Sequence, residues 1–394
     1  MKKSIATIAL LSFIIGAGLT LMEVGTRIAA PQQLVRGFVL PDPDLGSILR
    51  PNINYRDLYG GDFTVTTNRQ GFRMPEDVDF RPSRKRVIVY GDSFTFGWGV
   101  EYKDAFFAQI KKKLEQSNSE FQLINAGIGG YSTGHVKKLF ERHIPSTKPA
   151  ALIYFLNNND LIDNVIRDID YRVTDYKVEK DGSISLVDKK VFAPWKRFLL
   201  TNTPYGWLNQ NSHLFVLSKD LLKRALSWKR ERQMPQDLKP KPSGQPAAPP
   251  RNAETLRPAF TVLENDIDMS DSAIEFYIQV TRAHVKRLAE IAERHRIPLL
   301  VVWIPSWSEM FAPNTNGRDL LLFNKARKML FALAKDYPLT AFADTTSKMP
   351  RGQAWAQKRK KLHFDDGHFN IEGNAWFARH VLEDIALFVT GGGK

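Results

Sequence analysis

Residues 86–99 read RVIVYGDSFTFGWG, a short apolar run that ends in a glycine, an acid and a hydroxyl. The branched and aromatic side chains of Arg86–Tyr90 are typical of a buried strand, and Gly91 marks a turn after it. Two roles are then open for Ser93, which is either a nucleophile at the end of the strand or the N-cap of the next helix. The polar residues that follow other predicted strands decide between them.

Similar apolar runs recur along the chain, and helical patterns lie between them. Such alternation predicts βαβ units and a parallel sheet. The predicted fold class is α/β, with three layers (α/β/α), a flavodoxin-like five-stranded parallel sheet and one N-terminal transmembrane helix. The predicted strands are Arg86–Tyr90, Phe121–Asn125, Ala150–Leu156, 298–305 and 339–344, and the predicted helices are 105–114, 272–295, 319–335 and about 373–388.

Composition limits the class of protein. The 394 residues include no cysteine, which excludes disulfides and cysteine-based metal or redox chemistry. A net charge of +14 favours anionic partners such as lipid headgroups, acidic polysaccharide or nucleic acid, although a solvated basic surface is the commoner meaning. We find no helix-turn-helix, RNA-binding or zinc-finger pattern, so the sequence predicts no nucleic-acid partner.

The N-terminus carries a long apolar segment. Lys2 and Lys3 precede Ile5–Met22, 18 residues without a charge, which is close to the length of a membrane-spanning helix. The two lysines favour a cytoplasmic N-terminus. A cleaved signal peptide is the rival interpretation, but RIAAP at 27–31 is a poor cleavage site. We therefore predict an uncleaved, single-pass signal anchor that leaves the rest of the chain periplasmic or extracellular.

Changes in pattern suggest the domain organisation. The regular alternation stops after Asp160 and returns at 272, where Ser272 and Glu275 have the spacing of a capping box. Seven prolines at 234–258 predict an extended or disordered loop, and Leu214–Trp228 reads as a basic amphipathic helix. The predicted divisions are a signal anchor at 1–25, a lead-in at 26–84, a catalytic domain at 85–160 plus 271–394, and an insertion at 161–270.

Polar or glycine-rich residues follow most of the predicted strands. The first strand is followed by Gly91-Asp92-Ser93, the second by NAGIGGYSTG (125–134) and the third by NNND (157–160). A further polar block, HFDDGHFN (363–370), precedes the last helix. Because the carboxyl ends of parallel strands meet at one edge of a sheet, these blocks are expected to share one cleft.

The blocks contain the groups that a serine nucleophile requires. Ser93 supplies the hydroxyl, and His368 is the best candidate base because Asp365 lies three residues before it and can orient it. The N–H groups of Ser93 and Gly130 and the side chain of Asn159 are candidate oxyanion donors. The sequence thus predicts a Ser93, His368 and Asp365 triad that needs no cofactor and no metal.

These four blocks, in this order, resemble those of the SGNH or GDSL hydrolase family. GDSFTFG looks like the first block with its nucleophile, NAGIGG like the second, NNND like the third and DDGH like the last. The resemblance covers 86–160 and about 298–394. The lead-in at 26–84, with PDLG and NRQGFR, also looks like that of membrane-anchored bacterial members. The resemblance implies a serine esterase fold and the same triad.

The chain departs from the family pattern in two places. The third block usually begins with glycine, and Asn157 stands there instead, which would narrow the cleft or change the substrate. The last block has two aspartates, so that Asp366 is an alternative to Asp365 as the acid.

A rival motif and several structural interpretations compete with this site. GYSTG (130–134) matches the G-x-S-x-G elbow of another hydrolase fold, but AGIG separates its Ser132 from the strand. Asp92 is expected to cap the helix, and Asn125 and Asp160 to bind local backbone. A metal cluster at 363–368 is disfavoured, and the other histidines are expected to be surface or packing residues. Phe94, Phe96 and Trp98 are expected to line a pocket or to pack in the core.

We therefore predict a membrane-anchored esterase that cleaves acyl esters, with short chains preferred because the family often acts on them. Its partners would be the membrane and a small-molecule or glycan acyl ester. An O-acyltransferase acting on cell-surface polysaccharide is the main alternative, since it would use the same triad. A non-catalytic glycan-binding module and an anchored phosphodiesterase are weaker alternatives.

Overall fold

The structure is a computed structural model that describes residues 2–32, 34, 37–57, 62–166, 173–181, 183–222, 269–306, 309–310, 317–348, 362–364 and 366–391. The chain divides into two compact units. One comprises Met1–Pro41 and Pro194–Leu256, and the other Asp42–Ala193 and Arg257–Lys394. This division differs from the predicted one, because residues of the predicted insertion at 161–270 belong to both units.

The elements are numbered here along the chain. The strands are β1 (Val39–Asp42), β2 (Gly46–Leu49), β3 (Asn54–Asp57), β4 (Phe63–Thr66), β5 (Lys85–Tyr90), β6 (Phe121–Asn125), β7 (Ala151–Asn157), β8 (Thr174–Val178), β9 (Ile184–Asp188), β10 (Leu299–Ile304) and β11 (Thr340–Asp344). The helices are α1 (Lys2–Ala29), α2 (Ser93–Phe96), α3 (Phe106–Ser117), α4 (Thr133–Thr147), α5 (Asn158–Ile166), α6 (Pro194–Thr201), α7 (Pro204–Asn211), α8 (helical over 213–222), α9 (Asp271–His295), α10 (Arg318–Asp336) and α11 (Ile371–Val389). Short 3₁₀ turns lie at Tyr102–Asp104 and Thr345–Lys348.

The second unit is built on the predicted five-stranded parallel sheet. Its strand order is β11-β10-β7-β5-β6, and every neighbouring pair is parallel. The chain therefore moves outward from β5 in one direction to β6 and in the other to β7, β10 and β11. The carboxyl ends of β5 and β7 flank the point where that direction reverses, which is where doubly wound sheets form their ligand crevice.

Helices cover both faces of this sheet, so the predicted three-layer α/β class is confirmed. On one face α3 and α11 pack against each other and over the sheet. The Phe106 ring lies 4.9 Å from that of Phe155 on β7 and 5.0 Å from that of Phe377 on α11, which joins the three elements. On the other face α9 packs against α4, α5 and α10. The burial of apolar side chains on both faces explains why the strands read as continuous apolar runs.

Some local predictions differ from the structure. The expected capping box at Ser272 is wrong, because the helix begins one residue earlier at Asp271 and the side chain of Ser270 accepts the Ala273 N–H at 3.3 Å. The helix α4 and the antiparallel pair β8–β9 were not predicted. Within the lead-in, whose turn-rich sequence also predicts a short strand near Phe63–Thr67, β4 is that strand and pairs with β3.

The lead-in motif NRQGFR (68–73) supports the loop that follows the first sheet strand. Arg73 is fully buried, and its guanidinium donates to the carbonyl groups of Phe96, Gly97 and Val100, the last at 2.8 Å. It also lies over the Phe96 ring, 4.2 Å from the centroid. Arg73 therefore fixes the backbone that follows Ser93.

Replacing Arg73 with methionine is expected to lower the free energy of unfolding by about 3 kcal/mol, because buried carbonyls at 96, 97 and 100 would lose their donors. Urea unfolding of the full chain in detergent, followed by tryptophan fluorescence, measures this change. Arg81→Met is the matched control: that exposed arginine pairs with Asp79 at 2.6 Å, and its loss should cost less than about 0.5 kcal/mol. Equal effects of the two substitutions would contradict the scaffold role of Arg73.

The first unit contains the helix expected at the N-terminus. Within α1, Ile5–Ala29 is long and apolar enough to cross a membrane, with a mean hydropathy of 2.2 and no buried residues. The predicted amphipathic helix at Leu214–Trp228 is helical over 214–222. Residues 223–228 and the predicted proline-rich loop at 234–258 lie outside the described residues.

Candidate active site

The turn after β5 explains the residue types of Gly91, Asp92 and Ser93. Gly91 has φ +156°, and a Cβ there would lie 2.1 Å from Oγ1 of Thr95 and 2.9 Å from the carbonyl oxygen of Phe155. Only glycine fits this turn without displacement of its neighbours. Asp92 then caps α2 by accepting the Phe94 N–H at 2.9 Å, as expected. Ser93 is therefore the first residue of the short helix and not its cap.

Ser93 and His368 meet although 275 residues separate them. Oγ of Ser93 lies 2.7 Å from Nε2 of His368, and both side chains are largely buried. The loop that carries His368 is closed by a bridge between His363 and Phe369, and the Phe364 N–H donates to the His368 carbonyl at 2.8 Å. This closed loop holds the imidazole against the serine.

A carboxylate lies on the other side of the same imidazole. Oδ2 of Asp366 is 3.0 Å from Nδ1 of His368, and Oδ1 accepts the His368 backbone N–H at 3.0 Å. Burial acts to raise the pKa of Asp366, but the His368 side chain and backbone outweigh it, so the pKa is lowered from its ordinary value of 3.8. The carboxylate is thus ionised at neutral pH. Asp365, the acid that the spacing predicts, lies outside the described residues.

Neighbouring residues link the predicted oxyanion donors Gly130 and Asn159 to Ser93. Gly130 has φ +80°. The turn that contains it passes beside Ser93, since a Cβ on the adjacent Gly129 would make ordinary van der Waals contacts, 3.9 Å from Cβ of Ser93 and 3.6 Å from the Trp98 ring. The amide of Asn159 donates to Oδ2 of Asp92 at 3.0 Å, and Asp92 precedes Ser93 directly.

Two other polar residues of the blocks have the structural roles expected of them. Oδ1 of Asn125 accepts the Gly127 N–H at 2.9 Å, and its Nδ2 donates to the Thr95 carbonyl at 3.1 Å. Oδ2 of Asp160 accepts the Asn157 N–H at 3.0 Å. Burial, with the nearby charge of Asp92, raises the pKa of Asp160. These bonds shape the loops and do not reach the Ser93 hydroxyl.

The rival serine has a structural role. Ser132 is the N-cap residue of α4, and its Oγ lies 3.1 Å from Nδ1 of His135, which also accepts the Ser132 N–H at 3.1 Å. Ser132 and His135 thus form a capping box, in which the side chain of the third helical residue accepts the N–H of the N-cap residue. The His135 ring stacks on Tyr131 with 4.5 Å between the centroids, so its position is set by packing. The geometry therefore favours Ser93 over Ser132.

Ser93 and His368 line a small, tightly filled cleft. Phe94 and Trp98 line it, whereas Phe96 is a core residue. The remaining lining residues are Gly97, Phe369 and Asn374.

Asn374 was not anticipated from the sequence. Its side chain donates to the carbonyls of Phe369 and Asn370 at 2.9 Å and accepts the Phe106 N–H at 2.9 Å. It therefore ties the histidine loop to the start of α3. The available signal was a polar residue on the buried face of the final predicted helix.

Comparison with known sequences gives one partial match. No protein-family model matches the chain. An uncharacterized lipoprotein, YqeF, of Bacillus subtilis (strain 168) is 28% identical over 137 residues, which are 34% of this chain. The match spans about half, 54%, of the length of that relative.

Among solved structures, the chain is similar to esterases and to proteins of the G-D-S-L family. TesA is 12% identical with a TM-score of 0.39, covering 77% of this chain and 98% of TesA. The acetyl xylan esterase AlAXEase is 14% identical with a TM-score of 0.39, over 76% of this chain and 99% of that chain. A member of the lipolytic protein G-D-S-L family from Veillonella parvula DSM 2008 is 12% identical with a TM-score of 0.37, over 76% and 97%. At such identities and scores, the functional conclusion has to come from the chain's own residues.

Proposed function

We propose that the chain is a membrane-anchored serine hydrolase of the SGNH type that cleaves acyl esters. The observation that carries this proposal is the 2.7 Å approach of the Ser93 hydroxyl to the His368 imidazole in a cleft at the switch point of the sheet. A serine and a histidine at this distance can exchange a proton, which is the first requirement of nucleophilic catalysis by serine. The order of the four sequence blocks supports the same assignment.

The proposed reaction has two halves. Nε2 of His368 takes the proton of Ser93 as Oγ attacks the ester carbonyl, and the imidazolium then gives that proton to the departing alcohol. Water, activated by the same nitrogen, attacks the acyl-enzyme and releases the acid and free Ser93. The carboxylate beside Nδ1 holds the ring in position and stabilises its positive charge. We assign that role to Asp366 from its 3.0 Å contact, and Asp365 stays the prediction from spacing.

The tetrahedral intermediates require donors for the oxyanion. We assign this role to the N–H groups of Ser93 and Gly130 and to the Asn159 amide. Asp92 accepts one hydrogen of that amide, which orients the group and leaves its second hydrogen for the substrate. Asp92 thus supports both the helix that carries the nucleophile and one oxyanion donor.

The proposed location follows from the first unit. The apolar part of the helix Ile5–Ala29, residues Ile5–Met22, would span the membrane once, with Lys2 and Lys3 in the cytoplasm and the hydrolase unit in the periplasm or outside the cell. The partial match to a lipoprotein supports a site of action at a membrane surface.

The narrow cleft predicts a preference for short acyl chains. With p-nitrophenyl esters of increasing chain length, the full chain in detergent is expected to show a kcat/KM for the acetate at least about tenfold above that for the dodecanoate, since the rings of Phe94 and Trp98 limit the room beside Ser93. Trp98→Ala should raise the relative rate of the longer esters. A preference of the wild type for the dodecanoate would contradict this substrate assignment.

A further inference from the structure

The first unit holds three short helices beside the proposed anchor. We use the name helical collar for residues 194–222, which comprise α6, α7 and α8. The collar and α1 belong to the same compact unit. The role of the collar is separate from the ester chemistry. The proposal for it rests on the proposed membrane anchoring.

One carboxylate of the anchor helix binds the start of α8. Glu23 accepts hydrogen bonds from the backbone N–H groups of His213 at 2.9 Å and Leu214 at 3.0 Å, and from the Ser212 hydroxyl at 2.7 Å. The first N–H groups of a helix have no partner within the helix, and a negative charge there is favourable. Ser212 caps the next turn by accepting the Phe215 N–H at 3.0 Å.

Further bonds hold the same junction. Arg27 pairs with Glu23 at 2.8 Å and donates to the Asn211 carbonyl, at the end of α7, at 2.7 Å. The Gln32 N–H donates to Nδ1 of His213 at 2.8 Å. The collar is thus attached to α1 at a defined height along the helix.

That height coincides with the end of the apolar stretch. Ile5–Met22 has 18 residues, and at about 1.5 Å per residue it is about 27 Å long, close to the hydrocarbon thickness of a bilayer. Glu23 is the next residue and the first charged one after this apolar stretch. A span that places Ile5–Met22 in the hydrocarbon therefore places Glu23, and the collar bound to it, at the level of the lipid headgroups.

The collar, which is attached to α1 at that level, exposes large apolar side chains. Their exposed fractions are 65% for Trp195, 63% for Phe198 and Trp207, 61% for Leu222 and 54% for Leu221. Tryptophan is enriched at membrane interfaces because its ring is apolar but carries a polar N–H group. The exposed cations Lys196 and Arg197 lie between Trp195 and Phe198 in the sequence, as in helices that lie on anionic lipid.

We propose that the helical collar lies in the headgroup region of the outer leaflet as a second, monotopic contact with the phospholipid bilayer. Trp195, Phe198 and Trp207 would enter the acyl boundary, and Lys196 and Arg197 would bind lipid phosphate. A protein partner is the less favoured occupant, because the collar is fixed to the point where the span leaves the hydrocarbon.

The cysteine-free sequence permits a direct test with single spin labels. The full chain is reconstituted into nanodiscs of phosphatidylcholine with a minor fraction of phosphatidylglycerol. Labels are placed, one at a time, at Phe198→Cys and Trp207→Cys in the collar and at Ser12→Cys in the span. Lys112→Cys, at an exposed position of α3, is the control for a site in water. Collision rates with oxygen, which partitions into lipid, are compared with those of a water-soluble nickel chelate. We expect oxygen to dominate at positions 12, 198 and 207 and the nickel chelate to dominate at 112.

The other outcomes separate the collar from the anchor. Oxygen dominance at 12 with nickel dominance at 198 and 207 would overturn the collar proposal and leave the anchor intact. Nickel dominance at 12 would overturn the anchoring itself, and the collar proposal with it. Shielding from both reagents at 198 and 207 would show that protein covers the collar, which also contradicts the proposal.

A substitution of Glu23 tests the attachment. In the Phe198→Cys background, Glu23→Ala removes the acceptor for the start of α8, and the label is expected to shift toward the nickel-accessible values of position 112. Glu23→Gln keeps one acceptor oxygen and should shift the label less. Unchanged collision rates in Glu23→Ala would show that Glu23 does not hold the collar at the interface.

Discussion

Ser93→Ala is expected to reduce kcat/KM for p-nitrophenyl acetate by about three to six orders of magnitude. The substitution removes the only atom of Ser93 that can form the acyl-enzyme and leaves the site otherwise in place. Because the hydroxyl and its histidine act as one unit, His368→Ala should cost about as much as Ser93→Ala, and the double variant little more. Initial rates of the full-length variants in the same detergent measure all three losses.

Ser132→Ala is the matched control for this prediction. It removes the hydroxyl of the competing GYSTG motif, which the structure shows in a helix cap. The loss is expected to cost about 1 kcal/mol of stability and to leave kcat/KM within about twofold when rates are measured well below the unfolding temperature. An inactive Ser132→Ala with an active Ser93→Ala would reverse the assignment of the nucleophile.

Asp366→Asn is expected to lower kcat by about two to four orders of magnitude. The substitution preserves the shape of the side chain and removes the charge that we propose stabilises the His368 imidazolium. Oδ2 of Asp366 lies 3.0 Å from Nδ1, and an amide there would also permit the wrong tautomer of the ring. KM should change much less than kcat, because the acid acts through the histidine and does not bind the ester.

The neighbouring aspartate provides the control for the charge. Asp365→Asn carries the same substitution one residue earlier, and we expect it to change kcat less than about tenfold. A large loss in Asp365→Asn with a small one in Asp366→Asn would return the role of the acid to the residue that the three-residue spacing predicts. Equal losses would mean that the two carboxylates act together on His368.

The strands of the sheet were largely predictable from the sequence, whereas their order in the sheet was not. All five strands were identified because each is a short, largely apolar run, and the central strands β5, β7 and β10 are buried on both faces. The strand order depends on contacts between distant segments, which local patterns do not encode. The start of α9 was missed for a different reason: Ser270 and Ser272 both precede the apolar stripe, and only the backbone geometry shows that Ser270 is the cap.

The candidate site could be proposed from residue types in the sequence, but the residues that support it could not. Ser93 and His368 follow from residue types at the ends of elements, as the general rule for parallel sheets requires. Spacing alone cannot choose between Asp365 and Asp366, and the 3.0 Å contact of Asp366 with Nδ1 of His368 appears only in the fold. Arg73 lies in the lead-in motif NRQGFR, but its bonds to the carbonyls that follow Ser93, like the bond of Asn374 to the Phe106 N–H, join distant segments and cannot be read from the sequence.

The N-terminal region shows the same limit. The length of the apolar stretch predicts a span, but nothing in the sequence of α1 indicates that Glu23 would bind the start of a helix 190 residues later. From the sequence alone, Glu23 only marks the point where the apolar segment has ended. Only the fold shows that it is also the attachment point of the collar.

The measurement that tests the central claim most directly is to locate the adduct formed by a fluorophosphonate. The full chain is treated with the reagent, digested and mapped by mass spectrometry, with His368→Ala as the parallel sample. We predict that the phosphonyl group is on Ser93 in the wild type and that its formation is lost or greatly slowed in His368→Ala. An adduct on Ser132, or an unmodified Ser93 in a preparation that hydrolyses esters, would contradict the account.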